Sequence, residues 1–136
     1  MRFSIGTRVI LFAGDPHGDL TPINRAVSAT RPSGVVLLGD FDLEAPLEQA
    51  LGPWANEIDM GWIHGNHDAD RVEWHDNLFE SALADRSLHG RVVELGGVRI
   101  AGLGGVFREK VWHPETGVQF RTRREFMYAM GAGNKW

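Results

Sequence analysis

The stretch VILFAGDPHGDL, residues 9–20, carries a five-residue apolar run, Val9–Ala13, that breaks at once into glycine, an acid, proline, an imidazole and a second acid. Gly14 and Gly18 bracket the polar group and leave the backbone free to turn tightly. A surface turn explains the glycines, aspartates and proline, but gives no reason for His17. Two further apolar runs end in the same way, GVVLLGD at 34–40 and MGWIHGN at 60–66. Each reads as a short buried strand followed by glycine and then an oxygen donor able to bind a metal. The spacing is regular: Asp15 precedes Asp40 by 25 residues, and Asp40 precedes Asn66 by 26.

Between the runs lie two stretches that can be helical. One is Pro22–Thr30, with Thr21 as candidate N-cap; the other is Glu44–Leu51, closed by Gly52-Pro53. Strand–helix–strand units of this length predict an α/β fold with a parallel sheet. The ends bearing Asp15, Asp40 and Asn66 then share the sheet edge where open α/β sheets bind ligands. Beyond residue 70, Arg71–Arg86 reads as helical in one or two pieces, with Asp76-Asn77 as a candidate break. RVVEL and VRIAG, joined by Gly96-Gly97, read as a hairpin. Residues 106–120 look like a long loop, and RTRREFMYAM from Arg121 begins a possible helix. With no internal repeat or linker, 1–136 reads as one domain.

Composition narrows the classes. The 136 residues are 43% hydrophobic and 24% charged, ordinary values for a globular protein. Residues 1–107 hold 8 Lys and Arg against 15 Asp and Glu, a net −7, while residues 108–136 hold 6 against 3, a net +3. An acidic chain suits nucleic acid poorly, except as a phosphodiester substrate. The absence of cysteine excludes disulfide and thiolate chemistry and fits a reducing cytoplasm. The N-terminal apolar run is too short for a signal-peptide core, and no stretch has the length of a membrane span. The expectation is a cytoplasmic protein without membrane contact.

Together the three strand ends present Asp15 and His17, then Asp40, then Asn66 and His67. Carboxylate and amide oxygens mixed with imidazole nitrogens suit Mn, Fe or Zn better than Ca. Two central carboxylates can hold two cations about 4 Å apart, one carboxylate bridging, and so activate a water against a phosphate. The segments GDPHG, GDFD and GNHD, in that order on strand ends, resemble the first three motifs of the calcineurin-like metallophosphoesterases. The resemblance implies the strand–helix–strand units of an αββα sandwich and two divalent metal ions. It implies Asp15 and His17 on the first metal, Asp40 bridging, and Asn66 on the second. It also implies His67 over the substrate phosphate, and a phosphate mono- or diester, small or protein-borne, as substrate. Asp68 is expected either to orient His67 as part of the catalytic pair or to cap a helix. In several branches of the family an aspartate after the bridging one orients the catalytic histidine; Asp42 occupies such a place here, and a helix cap is its competing role.

The family completes its site with later histidines, including a Gly-His-x-His segment, and nothing after Asp68 matches it. The resemblance therefore covers about the first half of the family's fold, and the chain is expected to be a truncated version of it. Asp19 is read as a turn or cap residue, His64 as a satisfied strand-edge histidine, and His75 and His89 as surface residues. Trp54, Trp62, Trp74 and Trp112 are read as packing, and Arg108 and His113 as belonging to a loop that could reach the site.

Overall fold

Alternation along the strands sorts the apolar side chains onto two faces and thereby sets the layers. The computed structural model describes residues 8–106, 112–122, 124–125 and 129. β1 (Ile10–Ala13), β2 (Gly34–Leu37) and β3 (Asp59–Trp62) form a parallel sheet in the order β1-β2-β3. Ile10 stands opposite Gly34, and Gly34 opposite Asp59. The first crossover carries α1 (Thr21–Thr30); the second carries α2 (Leu47–Leu51) and a 3-10 turn, Pro53–Asn56. The strands run in parallel because each return passes through a helix, as the spacing predicts.

The central strand β2 is buried at all four positions. Val35 and Leu37 join Trp62 in a core with Ile23 and Val27 of α1, Leu47 and Leu51 of α2, and Leu78 of α3 (Val72–Phe79). Val36 points the other way, to Leu88 and Leu95, with Ile10, Ile63, Val93 and Ile100 alongside. That second face is covered by the antiparallel hairpin of β4 (Arg91–Leu95) and β5 (Val98–Gly102). The cover stops short of the strand C-termini: Phe12 and Leu38, which share Val36's face by alternation, are 54% and 44% exposed. Ahead of β4, the Leu88 N–H donates to the Trp62 carbonyl at 2.8 Å, and Ser87 bridges Trp62 in parallel, so this segment extends the sheet past β3.

Several expected boundaries move, each for a local reason. α1 includes Thr21 rather than starting after it, and the Thr21 N–H donates to Asp19 Oδ1 at 3.0 Å. α2 begins at Leu47, not Glu44, because Pro46 bars its predecessor from the helical region. α3 passes through Asp76-Asn77 unbroken; the Asn77 amide points outward and donates to the Leu43 carbonyl at 2.8 Å. The segment expected as a long loop contains a small antiparallel hairpin, β6 (Trp112–His113) with β7 (Gly117–Val118). Arg108 and half of the helix expected from Arg121 fall outside the described residues.

Candidate metal centre

The loops that leave β1 and β2 stay paired after the strands end. Asp15 N–H donates to the Gly39 carbonyl at 3.1 Å, His17 N–H to the Asp40 carbonyl at 3.1 Å, and Gly18 N–H to the Phe41 carbonyl at 2.8 Å. This zipper forces left-handed backbone on its members. Asp15 (φ 53°), His17 (42°), Asp40 (56°) and Asp42 (51°) are four of the five non-glycine residues with positive φ among those described. Such conformations carry a cost for L residues and concentrate at functional sites. Glycine makes room where the loops touch. A Cβ on Gly39, itself at φ +87°, would lie 2.2 Å from the Gly65 nitrogen, and a Cβ on Gly65 would lie 2.1 Å from Asp40 Oδ1.

The result is convergence. One ligand atom each from Asp15, His17 and Asp40 lies within 4.8 Å of the others. Asp40 is buried, whereas Asp15 and His17 open to solvent. Asp40 Oδ1 accepts the His67 N–H at 2.8 Å, which draws the β3 loop with Asn66 and His67 against the same carboxylate. The His17 and His67 rings meet edge to face with centroids 5.4 Å apart. Four of the expected residues are thus one neighbourhood, and Asn66 lies in the loop segment that joins it.

Two carboxylates and an imidazole in reach of one another fit a divalent cation in charge and donor type. The His17 ring is already oriented for that use: its Nδ1 is 3.0 Å from Asp42 Oδ2. A carboxylate only accepts, so Nδ1 carries the proton and Nε2 keeps the lone pair a metal needs, the usual arrangement behind a metal-binding histidine. Asp42 is therefore not a helix cap. Its hydrogen bond, helped by the charges of Asp42, Asp40 and Asp15, raises the His17 imidazole above its ordinary 6.5. A proton on His17 competes with a metal ion for the ring. Metal affinity is thus expected to weaken as pH falls through this raised value, by up to about tenfold per pH unit. Calorimetric titration with Mn²⁺ at a series of pH values checks this; an affinity flat across that range would contradict it.

Asp68 does something other than expected. It is 2% exposed, and its carboxylate neither caps α3 nor holds the His67 ring. Oδ2 accepts the N–H groups of Asp40 (2.9 Å) and Gly65 (2.7 Å), and Oδ1 that of Phe41 (2.7 Å). Burial pushes this carboxyl above the usual carboxylate range against the pull of its three donors. The acid on the His67 ring is Asp70, whose Oδ2 lies 2.8 Å from Nδ1. Sequence reading passed over Asp70; the signal available was an acid three residues after a histidine, one turn away.

Other expectations resolve nearby. Asp19 is a turn residue, held below the ordinary carboxylate value by the Thr21 hydroxyl and then the Thr21 N–H. His64 is not a satisfied edge residue: among the described residues its buried Nδ1 has no hydrogen-bond partner, and burial drives the ring down to about 4, so it stays neutral. It packs against Phe79 and His89. The Trp54 and Trp62 indoles donate inward, to Asn24 and to the Leu83 carbonyl, whereas Trp74 lies at the surface beneath Arg71 and donates to Glu44. His113 belongs to the β6–β7 hairpin.

A carboxylate–imidazole cluster at the C-terminal edge of a parallel sheet defines an α/β protein with a candidate divalent-metal centre. The profile of the calcineurin-like phosphoesterases matches residues 8–124, and the chain belongs to that family. An uncharacterized protein of Haemophilus influenzae (strain ATCC 51907 / DSM 11121 / KW20 / Rd) is 42% identical over 106 residues. That match covers 78% of this chain and 46% of the relative, so the chain spans less than half of the relative's length. No solved structure matches the chain. No helix among the described residues is long and apolar enough to cross a membrane.

Proposed function

We propose that this chain is a metal-dependent phosphoesterase acting on phosphate mono- or diesters, with a small phosphate ester or a phosphoprotein as substrate. The observation that carries the reading is the convergence of Asp15, His17 and Asp40 from two separate strand ends, in a member of this family. Asp15 and His17 would hold a first divalent ion, Asp40 would bridge to a second, and Asn66 would add its amide oxygen there. Bound metal of this kind supplies Lewis acidity and a water of lowered pKa. The chain's own residues do the rest. Asp42 holds the His17 Nδ1 proton and leaves Nε2 as the ligand nitrogen. The Asp40 carboxylate holds the His67 backbone beside the cluster through its 2.8 Å hydrogen bond. As a water oxygen bonds to phosphorus and the phosphorus–oxygen bond to the leaving group breaks, the electron pair goes to the leaving oxygen, which takes a proton from Nε2 of the His67 imidazolium and leaves the neutral ring with its proton on Nδ1. Donor sets of this kind favour Mn, Fe or Zn. The cysteine-free composition fits action in a reducing cytoplasm.

The test is direct. Purified protein with Mn²⁺ is expected to release nitrophenol from 4-nitrophenyl phosphate and to stop when the metal is chelated. A second reading, a chain that binds metal or phosphate without turnover, is favoured by the described cluster of two carboxylates and one imidazole, enough for one ion but few for two. Calorimetry separates the two. Tight two-site Mn²⁺ binding with turnover supports the enzyme, and weak one-site binding without turnover supports the fragment.

A further inference from the structure

We propose that Asp70 is the positioning residue for His67, supplied locally by the turn that bears the histidine. This rests on the phosphoesterase reading. Besides the metal-ligand candidates Asp15 and Asp40, three acids among the described residues stand near the site's two histidines, and the geometry divides their duties. Asp42, the acid two residues after Asp40, is spent on His17 at 3.0 Å. Asp68, adjacent to His67, is spent on three backbone N–H groups in two loops. Asp70 remains, and its Oδ2 is 2.8 Å from His67 Nδ1.

The pairing is built into the backbone. Asp70 N–H donates to the His67 carbonyl at 2.8 Å, closing a turn that places the two side chains together. The far side of the residue is fixed as well, because the His67 N–H is bonded to Asp40 Oδ1 and its ring meets the edge of His17. The Asp70 side chain is only 14% exposed, so water competes poorly for the pairing. A carboxylate cannot donate, so the Nδ1 proton belongs to His67. A substrate then addresses the ring only through Nε2. Asp70 thus keeps one proton on Nδ1 and fixes the ring's orientation, so that the proton the His67 imidazolium gives the leaving oxygen is the one on Nε2.

The experiment combines ring-nitrogen NMR of the metal-free protein with steady-state kinetics in Mn²⁺, on wild type, Asp70→Ala and Asp70→Asn. Wild-type His67 is expected to show a protonated Nδ1, and Asp70→Ala to lose that preference. With phenyl phosphate, whose leaving group needs a proton, Asp70→Ala is expected to lower kcat by about 10²-fold with KM little changed. With 2,4-dinitrophenyl phosphate, whose leaving group departs unaided, the loss is expected to be only a few-fold. Asp70→Asn keeps an oxygen able to accept the Nδ1 proton, and is expected to recover much of the lost rate. A wild-type ring protonated on Nε2 alone would overturn the proposal, as would an equal loss on both esters. If wild type hydrolyses neither ester, the phosphoesterase reading falls, while the ring-nitrogen spectrum still decides the pairing.

Discussion

Replacing Asp40 with asparagine is expected to remove divalent-metal binding and hydrolysis while leaving the urea midpoint unchanged or slightly raised. The shape of the site should survive. Asparagine is among the few residues that tolerate the left-handed backbone Asp40 adopts at φ 56°. Its side-chain oxygen can still accept the His67 N–H, and its own N–H still reaches Asp68. What is lost is one negative charge at the buried centre of the cluster, together with a carboxylate oxygen able to face a second cation. In the metal-free protein that loss relieves repulsion with Asp15, which accounts for the unchanged or raised midpoint. With metal present it removes the attraction for which the cluster is built. Activity should fall by about 10²–10³-fold, the scale seen when one preorganised electrostatic element is taken from an active site. Mn²⁺ calorimetry beside hydrolysis of 4-nitrophenyl phosphate reads both losses. Wild-type hydrolysis in this variant would remove Asp40 from the mechanism.

The features that carry this prediction were legible in the chain to unequal degrees. Strand positions were clear because the apolar runs are short, β-branched or leucine-rich, and punctuated by glycine. The regular 25- and 26-residue spacing then allowed only a parallel arrangement with a shared edge. That spacing alone brings Asp15, His17 and Asp40 to one edge. Which acid serves which ring was not legible. Asp42, Asp68 and Asp70 are all aspartates within a few residues of a motif, and chain order cannot say where a carboxylate points. The pairing of Asp42 with His17 crosses 25 residues and depends on the zipper between two loops. Asp68 bonds to backbone N–H groups rather than to the His67 ring for a related reason. Left-handed loops cannot satisfy their own N–H groups, so an acceptor must come from elsewhere. A buried acid one residue after His67 was a candidate for that debt as much as for catalysis.

Asp68→Ala is accordingly expected to cost stability first and function only as a consequence. The substitution leaves the N–H groups of Asp40, Phe41 and Gly65 buried without their acceptor. Each unsatisfied buried donor costs about 1–3 kcal/mol, and partial rearrangement makes the sum less than additive. A total of roughly 3–5 kcal/mol is a large share of the ~5–15 kcal/mol that holds a typical domain folded. At the usual urea sensitivity of roughly 1–3 kcal/mol per molar, the midpoint should drop by about 2 M. Asp68→Asn offers a graded comparison. Oδ2 serves two donors and Oδ1 serves one. An asparagine that places its oxygen at the Oδ2 position keeps two bonds and opposes only Phe41, so about half the loss is expected. Because Asp68 joins the β2 loop to the β3 loop, metal affinity should fall in the same order, Ala below Asn below wild type. An alanine variant with a wild-type urea midpoint would show that these N–H groups find other partners, and that the two loops hold the cluster together without Asp68.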